Sequence, residues 1–331
     1  MLNFNGKHFL SRCLSSIKQL NYPSELIEVI LVDNSSTDDS LAFVEAIFPW
    51  VKRIKLNHNY GFCGGNNRGI KYANGDYIAF LNNDTVVDAD WLIRLVNASI
   101  KNSVQICASK TLFMKKPEFL EFGGGKFTLN GRGFSIGMGI KDKLGSLPFY
   151  TGYPCAAAML IRKDVFLDLG GFDEDFFACL DDTDLGWRAW LYGYAVLYCP
   201  DSCVYHAAGG TTGKGRITTL KTFQGTKNSV MNILKNVEFK NILPALFISL
   251  SFDVFELFLL IKQKNLKCVA VKVRAYLWLI KNQHLTWQKR SLIQKKRVVS
   301  DCWLVRNGLM ALPFEALNEY RRLCKINLAD L

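Results

Sequence analysis

The first hundred residues repeat one pattern three times: a short β-rich apolar run, a polar turn, then apolar residues at helical spacing. IEVILV (27–32) runs into Asp33, and Ser35, Ser36 and Thr37 stand as caps ahead of a helix carrying Leu41, Val44 and Ile47. RIKL (53–56) leads to a glycine-rich loop and a helix near 66–74; YIAFL (77–81) leads to Asn82-Asn83-Asp84 and a helix from about Asp90. Such alternation predicts an α/β fold with a doubly wound, mostly parallel sheet. The opening MLNFNG gives only a very short strand before Leu10, Cys13, Leu14 and Ile17 repeat at helical spacing. Ligands of open sheets collect at the carboxyl ends of the strands. Asp33, the segment 59–69 and Asp84 are therefore expected to converge on one crevice. Residues 110–150 are glycine-rich and weakly periodic, which suits irregular connections or short strands over that crevice. A second α/β stretch runs from about Ala156 to His206.

A chain of 331 residues, 49% of them hydrophobic, buries a large core and exceeds one typical domain. The net charge of +12 is unevenly placed. Residues 1–216 carry 22 Lys/Arg against 22 Asp/Glu, and residues 217–331 carry 19 against 7. This predicts a nucleotide-binding and catalytic domain over 1–216 and a basic helical appendage over 217–331. With no basic excess over the sheet crevice, nucleic acid is not an expected partner. The ten cysteines include no CxxC pair, and the start shows no signal-peptide pattern, so reduced, mostly buried thiols are expected. Cys199, Cys203 and His206 come nearest to a zinc cluster, but their alternation with Val204 and Tyr205 reads better as a buried strand.

From Thr218 onward the pattern is helical. Ile242–Ile261 holds fourteen Leu, Ile, Val or Phe residues, together with Pro244, Asp253 and Glu256. Roughly −4 to −8 kcal/mol from the apolar residues is balanced by about +3 for each central acid, so a membrane span is not favoured. Ser249, Asp253 and Glu256 share one helical face, which suits a helix lying in the interface or packed on basic neighbours. The segments VAVKVRAYLWLI and KNQHLTWQKRSLIQKKR mix aromatic, aliphatic and cationic residues, and predict peripheral attachment to an anionic membrane surface. A soluble basic bundle is the alternative.

Four segments carry candidate chemistry. DNSSTDDS (33–40) puts a carboxylate at a strand end, where Asp33 can accept hydrogen bonds from a base or ribose; taken alone, a plain capping turn explains it better. NYGFCGGNNRG (59–69) allows close backbone approach to a nucleotide, though without the GxGxxG spacing of a dinucleotide fold. NND (82–84) ends the most hydrophobic strand on a carboxylate that a divalent cation bridging two phosphates would satisfy, and magnesium or manganese suits that hard oxygen ligand. In FDEDFFACLDDTDLGWR (172–188), Asp181 and Asp184 share a helix face while Asp182 points about 100° away. Grouped carboxylates raise one another's pKa, which favours a general base; acids complementing a helix dipole are the structural alternative.

Taken in order, these segments resemble the family-2 glycosyltransferases of the GT-A fold, particularly the rhamnosyltransferase-like members, over about residues 1–215. The resemblance implies that Asp33 lies near the base, that Asn3 and Asn5 line the nucleotide pocket, and that Gly65, Asn67 and Gly69 form its glycine-rich wall. Asn82, Asn83 and Asp84 match the DxD-type motif, with Asp84 as its second acid and Asn82 in place of the first. Asp182 inherits the role of catalytic base, with Asp181 and Asp184 as the neighbouring candidates. His206 completes the metal shell, and the following AAGGTTG closes over the diphosphate. The two-residue lead-in before Asn3 is shorter than the family's usual first strand.

The implied function is inverting transfer of a sugar from a UDP- or dTDP-sugar, dTDP-rhamnose among them, to a glycan or lipid-linked glycan at the cytoplasmic face of the membrane. A nucleotidyltransferase would need a lysine- and arginine-bearing glycine loop at the first strand, which is missing. A catalytically silent nucleotide- or glycan-binding scaffold of the same fold is the rival reading.

Overall fold

The computed structural model describes residues 1–207 and 218–326. The chain opens with β1 (Leu2–Asn3), α1 (Lys7–Lys18), β2 (Ile30–Asp33), α2 (Ser40–Ile47), β3 (Lys52–Lys55) and α3 (Gly61–Ile70). β1, β2 and β3 pair in parallel, Leu2 opposite Val32 and Ile30 opposite Lys52. Next come β4 (Tyr77–Leu81), β5 (Thr85–Val87), α4 (Trp91–Asn102), β6 (Ile106–Phe113), β7 (Lys116–Phe122), β8 (Gly125–Thr128), β9 (Gly133–Ser135) and β10 (Phe149–Tyr150). β11 (Ala158–Arg162), α5 (Lys163–Asp168), α6 (Asp181–Leu191) and β12 (Val196–His206) follow. The second sheet has the order β10-β12-β6-β11-β4, and a bridge from Leu2 to Asn82 continues it onto β1.

The strands legible from βα alternation lie where expected, but the sheet as a whole is mixed. β3-β2-β1 and the β6–β12 pair are parallel, whereas β11 runs antiparallel to both β4 and β6. The reason is connectivity: β11 follows the excursion 114–157, not a single crossover helix, and enters from the opposite end. That excursion is more regular than its glycine content predicted, forming β7, β8, β9 and β10.

The glycine-rich stretch expected as a loop is itself α3. A Cβ on Gly65 would come within 2.5 Å of Leu2 Cδ1, and one on Gly69 within 2.5 Å of Val32 Cγ2. These glycines let the helix backbone settle on β1 and β2, which is close packing, not an open loop. Two apolar cores flank the sheet. One gathers Leu10, Leu14, Leu31, Val44, Trp91 and Leu95. The other holds Phe80, Phe122, Phe127, Phe172, Trp187 and Tyr198.

The C-terminal third comprises α7 (Thr219–Asn236), α8 (Ile242–Lys262), α9 (Leu266–Lys281), α10 (Gln283–Lys296), α11 (Asp301–Arg306), β13 (Met310–Ala311) and α12 (Pro313–Cys324). It is less separate than its charge suggested. Val230, Met231 and Ile233 of α7 join the core around Trp187, and β13 pairs in parallel with β8, Met310 opposite Phe127. Lys235, Lys289 and Lys296 neutralise Asp173, Asp175, Asp184 and Asp168 of the N-terminal part. The expected boundary at Arg216 lies outside the described residues.

Candidate functional site

Three strand ends meet in one polar cluster. Asn3 closes β1, Asp33 closes β2, and Asn83 follows β4. Asn3 Nδ2 donates to Asp33 Oδ1 at 3.0 Å and to Ser36 Oγ at 3.1 Å, and Asn83 Nδ2 donates to Asn3 Oδ1 at 2.7 Å. Asp33 Oδ2 accepts from Ser36 N–H at 3.0 Å. Asp33 is fully buried, and its carboxylate organises the 34–37 turn. Exposed Asn5, at a left-handed φ of 51°, accepts from Thr37 N–H at 2.8 Å and holds the outer rim of the turn. Ser35–Thr37 do not cap α2, which begins only at Ser40.

The glycine wall departs from expectation. Gly65 and Gly69 face β1 and β2, and Asn67 turns away from the strand ends, bonding Phe172 N–H at 3.0 Å and Phe172 O at 2.8 Å. Packing of α3 on the sheet fixes this, since the glycine side of the helix is the only one thin enough to approach. Asn34, which the sequence did not single out, holds the segment 59–61: its Nδ2 donates to Asn59 Oδ1 and Gly61 O, and its Oδ1 accepts from Tyr60 N–H.

Beyond β4 the chain places an acid beside an imidazole. Asp84 is buried, and its Oδ1 lies 3.1 Å from His206 Nε2; His206 Nδ1 lies 2.7 Å from Glu121 Oε2 on β7. The eleven-residue β12 makes this possible by spanning the sheet and pairing His206 with Thr85 on β5. Cys199, Cys203 and His206 all sit on that one strand, with a bulge between the cysteines. Burial opposes the His206 imidazolium, but the Glu121 charge and the hydrogen bonds to Asp84 and Glu121 outweigh it and hold its pKa well above the ordinary range. Asp84 does not cap a helix: β5 follows directly, and α4 starts only at Trp91. Among the described residues no three ligating side chains cluster as a ready-made metal cage. One carboxylate oxygen and one imidazole nitrogen do converge, the donor set of a site completed by phosphate oxygens and water. Asn82 joins β1 through its backbone, and its N–H donates to Ala157 O at 2.9 Å.

The acid cluster opens α6, with Asp181, Asp182 and Asp184 all in the first turn. Their fates differ. Asp184 is fully buried and bonded to Arg188 Nε at 2.8 Å, Lys235 Nζ at 2.9 Å and Asn236 Nδ2 at 3.1 Å. Burial works against its charge, but Arg188 and then Lys235 overcome this and lower its pKa. A carboxylate so engaged ties α6 to α7 and is not placed to take a substrate proton. Asp181 is buried, and its pKa is pushed up to about 8 by burial and by the charge of Asp182. Asp182 is only partly buried: Oδ1 accepts from Thr183 N–H at 2.7 Å and Oδ2 from Ala156 N–H at 3.5 Å. Burial raises its pKa too. Burial and their mutual charge push both carboxyls of this pair upward, and Asp182 is the one that keeps some exposure.

The turn 155–157 joins the two halves. Asp182 holds the N–H of Ala156, and Asn82 holds the carbonyl of Ala157. Gly186 sets this distance, because a Cβ there would lie 2.5 Å from Tyr153 Cα, so α6 rides directly on the strand segment entering the turn. The segment before α6 is strained, with Phe177, Cys179 and Leu180 at positive φ. The side-chain amide of Asn228 on α7 clamps it, within 3.1 Å of the Phe176, Ala178 and Cys179 carbonyls. No spacing rule links residue 228 to residue 178, so sequence reasoning missed it. The segment AAGGTTG extends outside the described residues.

The family described as Glycosyl transferase family 2 matches residues 1–170. The O-antigen biosynthesis protein RfbC of Myxococcus xanthus is 31% identical over 203 residues, 58% of this chain and 16% of that protein. The poly(ribitol-phosphate) beta-glucosyltransferase of Bacillus spizizenii is 33% identical over 111 residues, 32% of this chain and 18% of that protein. The chain thus spans only a minor part of these curated relatives. Among solved structures, GalNAc-T7 with UDP, GalNAc and Mn2+ aligns at a TM-score of 0.59 and 18% identity, over 71% of this chain and 46% of that one. A mannosyltransferase from Pyrobaculum calidifontis in complex with GDP-Man and Mn2+ aligns at 0.53 and 15% identity, over 89% and 83%. These likenesses establish a GT-A-type fold, and with the match across its first 170 residues the chain belongs to glycosyl transferase family 2.

Proposed function

We propose that this protein transfers a sugar from a nucleoside diphosphate to an acceptor hydroxyl in one inverting displacement. The observation that carries the reading is the turn 155–157, which puts the reachable carboxylate of Asp182 and the Asn82–Asp84 strand end on two sides of one backbone segment. Asp182 takes the acceptor's proton while the acceptor oxygen bonds to the anomeric carbon. The bond from that carbon to the diphosphate oxygen breaks, and the nucleoside diphosphate leaves with the electron pair. The raised pKa of the Asp181–Asp182 pair suits proton acceptance, since the two carboxyls disfavour carrying two charges at once.

Asn3, Asp33, Ser36 and Asn83 offer neutral and anionic hydrogen-bonding groups for a base and ribose, with Asn5 at the rim. Asp84 and His206 would hold a magnesium or manganese ion, and His206 gives up its proton to do so. A bound divalent cation supplies neutralisation of the charge that develops on the departing diphosphate. Curated relatives are named for O-antigen biosynthesis and for poly(ribitol phosphate) glucosylation, which supports a cell-envelope glycan or lipid-linked glycan as acceptor. A UDP- or dTDP-sugar, dTDP-rhamnose among them, is the donor class we favour.

The test is Asp182→Asn. An amide of similar shape keeps the hydrogen bond from Thr183 N–H but cannot accept a proton, so transfer should fall by about 10²–10⁴-fold with donor affinity and melting temperature retained. A panel of UDP-, dTDP- and GDP-sugars identifies the donor for the assay. Parental transfer by Asp182→Asn would overturn the assignment.

A further inference from the structure

Helices α8 and α9 form a hairpin whose outward face is apolar. On α8 the residues Leu243, Phe247, Leu250, Val254, Phe258 and Ile261 are exposed, Phe247 to 73%, and at about 100° per residue they fall within roughly 80° of arc. On α9 the exposed Leu266, Val273, Leu277 and Ile280 form a matching stripe. The acids that argue against membrane contact face the other way. Asp253 is buried against Arg132 at 3.2 Å and Lys272 at 2.8 Å, and Glu256 pairs with Lys272 at 2.5 Å. Tyr276 adds a hydrogen bond to Asp253 at 2.6 Å. Pro244 lies in the first turn, where no helical hydrogen bond is lost.

Arg132 follows β8 in the α/β part of the molecule, so the middle of α8 lies along that body and has a single face left for anything else. A helix held this way does not thread a bilayer, although its length and composition suffice. Beside the apolar stripe of α9 runs a cationic one, Lys267, Arg274 and Lys281, exposed and seven residues apart; Lys262 and Lys264 flank the turn. None of the five forms an ion pair among the described residues, in contrast to the buried Lys235 and Lys272. An apolar stripe edged by uncompensated cations matches a surface of acyl chains beneath anionic headgroups.

We propose that the α8–α9 hairpin docks this protein on an anionic lipid bilayer, its apolar face in the interface and the α/β part standing above it. The proposal does not depend on the transferase reading. The test uses the full chain and vesicles of phosphatidylcholine with or without phosphatidylglycerol. Binding should require phosphatidylglycerol, weaken with salt and reverse under alkaline wash. Phe247→Glu with Leu277→Glu should weaken it at least tenfold without moving the melting temperature, and Lys267→Glu with Arg274→Glu and Lys281→Glu should weaken only the anionic component. Failure to bind anionic vesicles at low salt, binding unaffected by Phe247→Glu with Leu277→Glu, or retention after alkaline wash would overturn the proposal. So would a dimer in solution that the same pair of substitutions dissociates while vesicles stay unbound, since the face would then belong to a second copy.

Discussion

Two consecutive helices invert the usual rule of burial. α7 buries Thr226, Lys227, Asn228, Ser229, Asn232, Lys235 and Asn236, while α8 leaves Leu243, Phe247, Leu250 and Phe258 exposed. The difference lies in partners. Lys227 donates to the Asp175 carbonyl, Asn228 to three carbonyls of the strained segment, Lys235 to Asp173 and Asp184, and Asn232 to the Gly131 carbonyl at 3.0 Å. Buried polar groups persist where each meets a partner. α8 turns Asp253 and Glu256 inward to Arg132, Lys272 and Tyr276, and among the described residues its outer face stays uncovered. Hydropathy alone would have put α8 inside and α7 outside.

Breaking the α7 side should have the larger effect. Lys235→Met removes the one cation shared by Asp173 and Asp184 and leaves carboxylates buried short of a partner, at a cost of about 3–5 kcal/mol. Both carboxyls sit below their ordinary range: burial opposes their charge, but Lys235 and Lys289 outweigh it at Asp173, and Arg188 and Lys235 at Asp184. Their folded pKa values are depressed, so the pairing stabilises fully above the unfolded carboxyl pKa of about 4 and is lost progressively as pH falls from there toward the lower folded values. Melting curves from pH 7 down to about pH 2 should show a steep acid loss in the parent and a shallower one in Lys235→Met. Identical curves would mean that this cluster does not hold α7.

Asn228→Ala should cost less, about 1–3 kcal/mol, because it removes neutral amide–carbonyl bonds and leaves no buried charge without a partner. Its sharper consequence is catalytic. The segment 177–180 leads directly into Asp181 and Asp182, and its relaxation should lower transfer by up to about 100-fold. Retention of the parental rate in a correctly folded Asn228→Ala variant would separate the clamp from the chemistry.

Phe247→Ser on α8 should change least. Its side chain contacts solvent, so stability should stay within about 0.5 kcal/mol and transfer to a soluble acceptor should be unchanged. A large destabilisation would show that α8 is packed and erase the contrast with α7.

Much of the fold was legible because it rests on local periodicity. The strands ending at Asp33 and near Asn82 and the helix opening at Asp181 all follow from spacing, as does the inward face of Ser249, Asp253 and Glu256. The candidate site was legible through the rule that groups following strands collect at one end of the sheet, not through closeness in sequence. Asn3, Asp33 and Asn83 converge, as do Asp84 and His206. Spacing separated Asp182 from Asp181 and Asp184 but could not say what each acid meets. One turn of helix points them at different partners, so Asp184 meets Arg188 and Lys235 while Asp182 meets the turn at Ala156. The glycines of α3 misled for a similar reason: a missing side chain permits close approach, and the sequence does not say whether ligand or sheet approaches.

The sequence by itself determined the alternating elements, the chemistry at each strand end and the segregation of basic residues after residue 216, all of which depend on neighbours within a few positions. Only the tertiary structure decided that β11 enters antiparallel, that Lys235 and Asn228 belong to the α6 acid cluster, and which side of α8 is left uncovered. Those depend on which distant segments fill the space around a helix, and burial free energy is a property of that surrounding, not of the residue buried.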